Sequence, residues 1–250
     1  MTVPVLDPEP EPEHFWPRPE QGRVFSGQRA VRMADVTPTG RLRLDALARY
    51  LGDVAEDDVD DIGWDEPVGW VLRRSVVTID RFPTLGDTVS LDTFCTGTAP
   101  RWAERTTTVA DSAGDAVQVR ALWVAVDLET GRPVRLGPSF EAIYGPAAGG
   151  RRATARLTLP EPPGDVAVVP WPVRAVDLDL WGHVNNAVHW AAVEEVLAGD
   201  PWRPRRAVIE YNEPILPTAR LGLAERPIEG GLDLWLLDGR RRLSAVRLEG

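Results

Sequence analysis

The chain is written twice, and that repeat limits its fold more than any other feature. Residues 31–42, VRMADVTPTGRL, align without a gap on residues 173–184, VRAVDLDLWGHV, at an offset of 142. Val31/Val173, Arg32/Arg174, Asp35/Asp177 and Gly40/Gly182 are identical pairs. Further on, RSVVTIDRFPTLGDTVSL (74–91) aligns on RAVIEYNEPILPTARLGL (206–223) at an offset of 132, which fits one ten-residue indel between helix and next strand. A self-similar chain is built from repeated structural units, so one unit must account for both halves.

Each copy carries the same elements in the same order. A short strand (about 23–32, and 166–174) leads into a polar turn and then a helix. Leu44, Leu47, Leu51 and Val54 recur at helical spacing in the first copy, and Trp190, Val193 and Leu197 in the second. Several strands follow: WVLRRSVVTID and TVSLDTFCT flank a RFPTLGD turn, and residues 105–136 read as strands joined at Ala-Gly-Asp and Glu-Thr-Gly. Residues 232–249 close the chain as a hairpin turning at Asp238-Gly239. One helix followed by hairpin-connected strands is an α+β unit, an antiparallel sheet wrapped round a central helix. That is the hotdog architecture, and two copies make a tandem (double) hotdog, a pseudo-dimer within one chain. The expected division is an acidic, Pro/Glu-rich disordered arm over 1–22, a first unit over 23–145, a Gly/Pro-rich linker over 146–165, and a second unit over 166–250.

Composition excludes several classes of function. The formal charge of −10 argues against general nucleic-acid binding. No apolar run reaches the roughly 18–20 residues that span a bilayer. The first 20 residues lack the basic and apolar regions of a secretory signal, so a cytoplasmic protein is expected, with no membrane partner. Cys95 is the only cysteine, which rules out intrachain disulfides and disfavours a cysteine-based metal cluster. All 28 basic residues are arginine, so no lysine can form a Schiff base or bind phosphate. Three histidines and no glycine-rich phosphate loop imply no metal and no cofactor.

The chemistry concentrates in VDLDLWGHVNNAVHWAAVEEVL, residues 176–197, where a polar turn runs into the second helix. Asn185 and Asn186 are N-cap candidates, since their side-chain oxygens can accept from free amides of the first turn. Those amides and the helix dipole favour developing negative charge, as on a thioester oxygen under attack. Gly182 permits a left-handed backbone or the close approach of a ligand. Asp179 lies four residues before His183, and a carboxylate with an imidazole can activate water and protonate a leaving thiolate. His189 is expected to pack beside the helix, His14 to lie inert in the arm, and Cys95 to be a buried strand residue.

DLDLWGHVNNAVHW resembles the Asp-x-x-x-His-Val-Asn-Asn signature of acyl-ACP thioesterases, plant and bacterial enzymes that release fatty acids from acyl carrier protein. The likeness extends over roughly residues 22–250, through VRMADVTPTGRLRLDALARYLGDVAEDD, WVLRRSVVTIDRFPTLGDTVSLDT and VRALWVAVDLETGRPVRL. It implies a cytoplasmic hydrolase of fatty-acid biosynthesis, whose partner is an acyl carrier protein bearing a fatty acyl thioester. By this resemblance Asp179 takes the catalytic aspartate position and His183 the histidine. Gly182 and Asn185 fall at the helix start, where they would position substrate. Trp181 stands where plant enzymes carry asparagine, and would supply an apolar wall beside the thioester. The family's glutamate on the following strand is matched by Glu213 in IEYNEPI, although an ungapped alignment falls on Pro214. The arginines of WRPRR, Arg203, Arg205 and Arg206, are candidates for docking an acidic carrier. The first copy has Thr37 and Arg41 where the second has Asp179 and His183, so one active site per chain follows, in a monomer or a homodimer. Alternatives are an acyl-CoA or polyketide-type hotdog thioesterase, a hotdog dehydratase, or an inactive acyl-binding protein.

Overall fold

The structure, a computed structural model, describes residues 15–250. Most of the arm expected over 1–22, with His14, lies outside the described residues. The remainder is not detached. Phe15 lies against the Arg120 guanidinium and Trp16 against that of Arg151, with ring centroids 5.8 and 4.7 Å away, and Arg18 pairs with Asp92. Aromatic side chains that find cations on the first unit have reason to stay there.

The first unit runs β1 (Val24–Ala30), α1 (Leu44–Asp61), β2 (Val68–Ile79), β3 (Thr88–Ala99), β4 (Trp102–Asp111), β5 (Gly114–Asp127) and α2 (Pro138–Ala148). The second runs β6 (Val168–Pro170), α3 (Asn186–Val196), β7 (Arg206–Tyr211), β8 (Leu221–Ile228), β9 (Gly231–Asp238) and β10 (Arg241–Glu249). All the strands join one antiparallel sheet ordered β1-β3-β4-β5-β2-β7-β10-β9-β8-β6. The order reads the same from either edge, with β1 answering to β6, β3 to β8, β4 to β9, β5 to β10 and β2 to β7. Where β2 meets β7, Val76 pairs with Val208, Arg74 with Glu210 and Thr78 with Arg206. Val76 and Val208 are themselves repeat mates, so a pseudo-two-fold axis passes through that pair. The fold is a tandem hotdog.

The two central helices face each other across this axis. Leu44, Leu47 and Val54 of α1 and Trp190 and Val193 of α3 share one buried core with Val77, Ile79, Ala207 and Ile209 of the joining strands. Fully burying a Leu or Val contributes about 1.5–3 kcal/mol, so this shared core fixes the two units relative to one another. The hairpin turn lies one residue later than expected, with Gly239 and Arg240 central and positive φ confined to Gly239, the pattern of a type II′ turn.

Two features depart from the sequence reading. Helix α2 falls where the chain was expected to pass into a linker at 145/146. Gly145, Pro146 and Gly149 look like loop punctuation, but Pro138 sits at the first helical positions and Gly149 (φ 58°) ends the helix. Phe140 and Tyr144 are buried beside Trp64 and Trp70, and that contact overrides the local signals. The stretch after α2 is irregular but pinned: buried Glu210 accepts from Thr158 N (2.5 Å) and Leu159 N (3.1 Å), and Trp235 Nε1 donates to Pro160 O (2.8 Å).

Candidate active site

The turns before the two central helices share a set of backbone hydrogen bonds. Thr37 N donates to Arg41 O, and Asp179 N to His183 O, both at 2.8 Å. Gly40 N donates to Thr37 O (2.9 Å) and Gly182 N to Asp179 O (3.0 Å). Leu42 N reaches Pro83 O (2.8 Å) and Val184 N reaches Ile215 O (2.9 Å). Gly40 (φ 84°) and Gly182 (φ 75°) hold the left-handed conformation that a Cβ would penalise. Arg43 N and Asn185 N close on Asp35 O (2.9 Å) and Asp177 O (2.8 Å), so α1 starts at Leu44 and α3 at Asn186.

Below the second turn, Asp177 is buried and accepts from Arg174 N (2.8 Å) and the Arg174 guanidinium (2.7 Å). Burial works to raise its carboxyl pKa, but the Arg174 bonds outweigh that and hold it below the usual range. The Asp35/Asp177 identity marks this anchor in the sequence.

The upper part of the turn carries the chemistry. Asp179 Oδ1 accepts from Trp181 N (2.9 Å) and His183 N (3.1 Å), which fixes the loop over the helix start. The His183 imidazole is half-buried and has no hydrogen-bond partner among the described residues. Asp179 and His183 therefore share a turn and a backbone bond, not a direct carboxylate–imidazole bond. Such bonds often tighten only when substrate arrives. Asn185 is the N-cap, its Oδ1 accepting from Ala187 N (2.9 Å), which leaves its Nδ2 to donate outward. Asn186, the other cap candidate, is the first helical residue, and its N–H has no partner among the described residues. Trp181 is half exposed and reaches the first unit: a Cβ on Gly69 of β2 would lie 2.9 Å from both Trp181 Cη2 and Leu128 Cδ2. The turn thus stands at the seam between units.

Glu213 does not join this group. Its carboxylate is exposed and paired with Arg241 at 3.3 Å. The first copy gives the reason: the residue facing Arg41 there is Phe82, whose ring lies 4.6 Å from the guanidinium, and its repeat mate is Pro214. Strand β7 ends at Tyr211, and Glu213 lies in the bend beyond it, so nothing in the strand carries its carboxylate toward His183.

The arginine cluster is remote as well. Arg203 donates to the Asp200 and Trp202 carbonyls, and Arg206 pairs with Glu249, leaving Arg205 exposed. Arg205 O accepts from Ile79 N at one end of β2, while Trp181 touches Gly69 at the other. At about 3.3 Å per residue the strand separates them by about 30 Å.

Sequence reasoning missed Glu194. From α3 its carboxylate takes the Arg41 guanidinium with two bonds (3.0 and 2.6 Å) and accepts from Leu44 N at 2.7 Å. Both side chains are about nine-tenths buried. The helix start of the first unit is thus filled by a carboxylate from the second. The Glu194-Glu195 pair, following the apolar run Trp190–Val193, was the available signal.

His189 and Cys95 play structural parts. His189 is buried, with Nδ1 3.0 Å from Ser244 Oγ and its ring edge-on to Tyr211. Burial pushes its pKa down to about 4. The folded protein therefore holds it neutral while the unfolded chain protonates near 6.5, so its contribution is intact above that pH and is lost as pH falls toward 4. We expect about 3 kcal/mol of stability to go this way between pH 7 and pH 4. Urea unfolding of wild type and His189→Gln at both pH values checks it; equal acid sensitivity in the two proteins would contradict it. Cys95 is buried, and burial raises its thiol pKa to about 11, far from a nucleophile's range.

The fold and this single open turn define a tandem hotdog protein with one candidate site. The model of the acyl-ACP thioesterase N-terminal domain matches residues 22–144, and that of the C-terminal domain matches residues 161–222. The chain is 30% identical over 201 residues to the uncharacterized protein Rv2001 of Mycobacterium tuberculosis, covering 79% of this chain and 80% of that one. Among solved structures, a Lactobacillus plantarum protein assigned as an oleoyl thioesterase superposes with a TM-score of 0.79 at 20% identity, covering 92% of this chain and 96% of that one. The 12:0-ACP thioesterase of Umbellularia californica superposes with a TM-score of 0.75 at 20% identity, covering 92% and 97%. The chain belongs to the acyl-ACP thioesterase family, and it is a thioester hydrolase. Among the described residues no helix is long and apolar enough to cross a membrane.

Proposed function

We propose that the chain releases fatty acid from acyl carrier protein at the start of α3, in cytoplasmic fatty-acid synthesis. The observation that carries this is a turn, held by Asp179, that bears the unpartnered His183 imidazole and leads into a helix start whose Asn186 amide is also unpartnered among the described residues. Water attacks the thioester carbonyl with His183 as general base. The Asn186 N–H and Asn185 Nδ2 take the developing oxyanion, and His183 returns the proton to the departing thiolate. Asp179 orients the turn, and its second oxygen is left for the attacking water. No metal or organic cofactor takes part in this scheme. With both hotdog units in one chain, a monomer is complete.

Purified full-length protein tested with acyl-ACP and acyl-CoA over a chain-length series, by release of free thiol, decides the reading. Turnover of acyl-ACP in preference to acyl-CoA is expected; no thiol release from either supports an acyl-binding protein instead.

Two further results are expected. Trp181→Asn keeps measurable hydrolysis, because Trp181 supplies an apolar wall and contacts Gly69 rather than the reacting atoms. Hydrolysis appearing only in Trp181→Asn, with wild type silent, would mean that the tryptophan had turned an enzyme into a binder. Arg203 and Arg206 have internal partners, and the exposed Arg205 lies far from the turn, so this cluster is not the docking site. Arg205→Glu should accordingly change KM for acyl-ACP by less than about twofold, since exposed charge acts chiefly on nearby encounter. A KM rise of tenfold or more would restore that surface as the carrier site.

A further inference from the structure

The repeat that relates the two helix starts also relates what stands opposite them. Glu194 of α3 fills the α1 start; subtracting the offset of 142 places its mate in α1 at Gly52. By the pseudo-two-fold axis, Gly52 therefore faces the α3 start as Glu194 faces the α1 start, with His183 in the place of Arg41.

Packing does not require a glycine at this point. A Cβ on Gly52 would meet nothing within 4 Å, and its φ is not positive. Gly52 also lies inside an 18-residue helix, where glycine costs about 1 kcal/mol relative to alanine. A costly residue in open space, opposite an unpartnered amide, has a use other than stability.

We infer that Gly52 is what keeps the active site open. Its missing side chain leaves vacant, at the α3 start, the place that the Glu194 carboxylate occupies at the α1 start. Glu194 Oε1, 2.7 Å from Leu44 N, marks where an anionic oxygen sits on this fold, and the thioester oxygen takes the equivalent place on Asn186 N. Glu194 and Arg41 plug one of two pseudo-equivalent sites, and Gly52 and His183 leave the other open. This rests on the hydrolase reading of the α3 start for its substrate, but not for its geometry.

Gly52→Glu tests it, with amide hydrogen exchange measured by NMR beside turnover. In wild type the Leu44 amide should be protected and the Asn186 amide should exchange freely. In Gly52→Glu, with Leu44 still protected as proof of folding, Asn186 should become protected and kcat/KM should fall at least about 100-fold. Gly52→Ala, whose Cβ meets no neighbour, should raise thermal stability and lose less kcat/KM than Gly52→Glu. Asn186 protected with hydrolysis unchanged would overturn the assignment, as would an Asn186 amide that Glu at 52 fails to protect. If Gly52→Glu does not fold, slow exchange at Asn186 in wild type or in Gly52→Ala refutes the open start. Exchange needs no substrate, so an inactive wild type would refute the hydrolase reading without affecting this measurement.

Discussion

His183→Ala is expected to lower kcat/KM for the acyl thioester by about 10²–10⁴-fold, the usual range for loss of a general acid–base group. That corresponds to about 3–5 kcal/mol of transition-state stabilisation. The fold should survive, because the imidazole makes no hydrogen bond among the described residues and the turn is held by backbone and by Asp179. Asp179 needs a finer experiment, because it has two separable duties. Asparagine at 179 keeps an oxygen to accept from Trp181 N and His183 N but removes the charge; alanine removes both. Asp179→Asn should stay folded and still lose about 10²-fold in activity, and Asp179→Ala should lose more and loosen the turn. Thiol-release kinetics on both variants, with circular dichroism to verify folding, decides. Near-normal turnover in Asp179→Asn would reduce Asp179 to a structural residue, and near-normal turnover in His183→Ala would remove the base.

The repeat explains why so much of this architecture was legible. Paired identities such as Arg32/Arg174 and Asp35/Asp177 are the very residues that build the duplicated turn, so an ungapped alignment finds them. Helical spacing of Leu44, Leu47 and Val54 survives because one face of α1 is buried against α3. What escaped reading depends on contacts between distant segments. Helix α2 escaped because its Gly145 and Pro146 carry loop signals that only the burial of Phe140 and Tyr144 overrules. Glu213 ends beside Arg241, 28 positions on, and the partner of Arg41 lies 153 positions on. The arginine run 203–206 reads as free surface charge, yet two of its members are committed to local carbonyls and to Glu249. Charge is visible in a sequence; which charges are already satisfied is not.

Glu194→Ala is expected to cost about 3–5 kcal/mol of stability, the usual penalty for breaking a buried ion pair by removing one partner. Arg41 would be left buried beside Phe82 without its carboxylate, and the Leu44 amide would lose its acceptor. At about 2–4 °C per kcal/mol for a chain near this size, Tm should fall by about 10 °C. Removing both charges is a different case, since no uncompensated ion remains. Arg41→Leu with Glu194→Leu should recover most of the loss, leaving chiefly the unmet Leu44 N–H at about 1–3 kcal/mol. Activity separates the structural role from a catalytic one. Because Glu194 belongs to the plugged start, the folded fraction of Glu194→Ala should hydrolyse thioester at nearly the wild-type rate well below its Tm. Thermal unfolding of the single and double variants, paired with thiol release at low temperature, measures both effects. A Tm change under about 2 °C would show that the pair is not a structural plug. Loss of turnover in a fully folded Glu194→Ala would instead place the working site at α1, with Arg41 and Glu194 in it and the His183 turn as the inert copy.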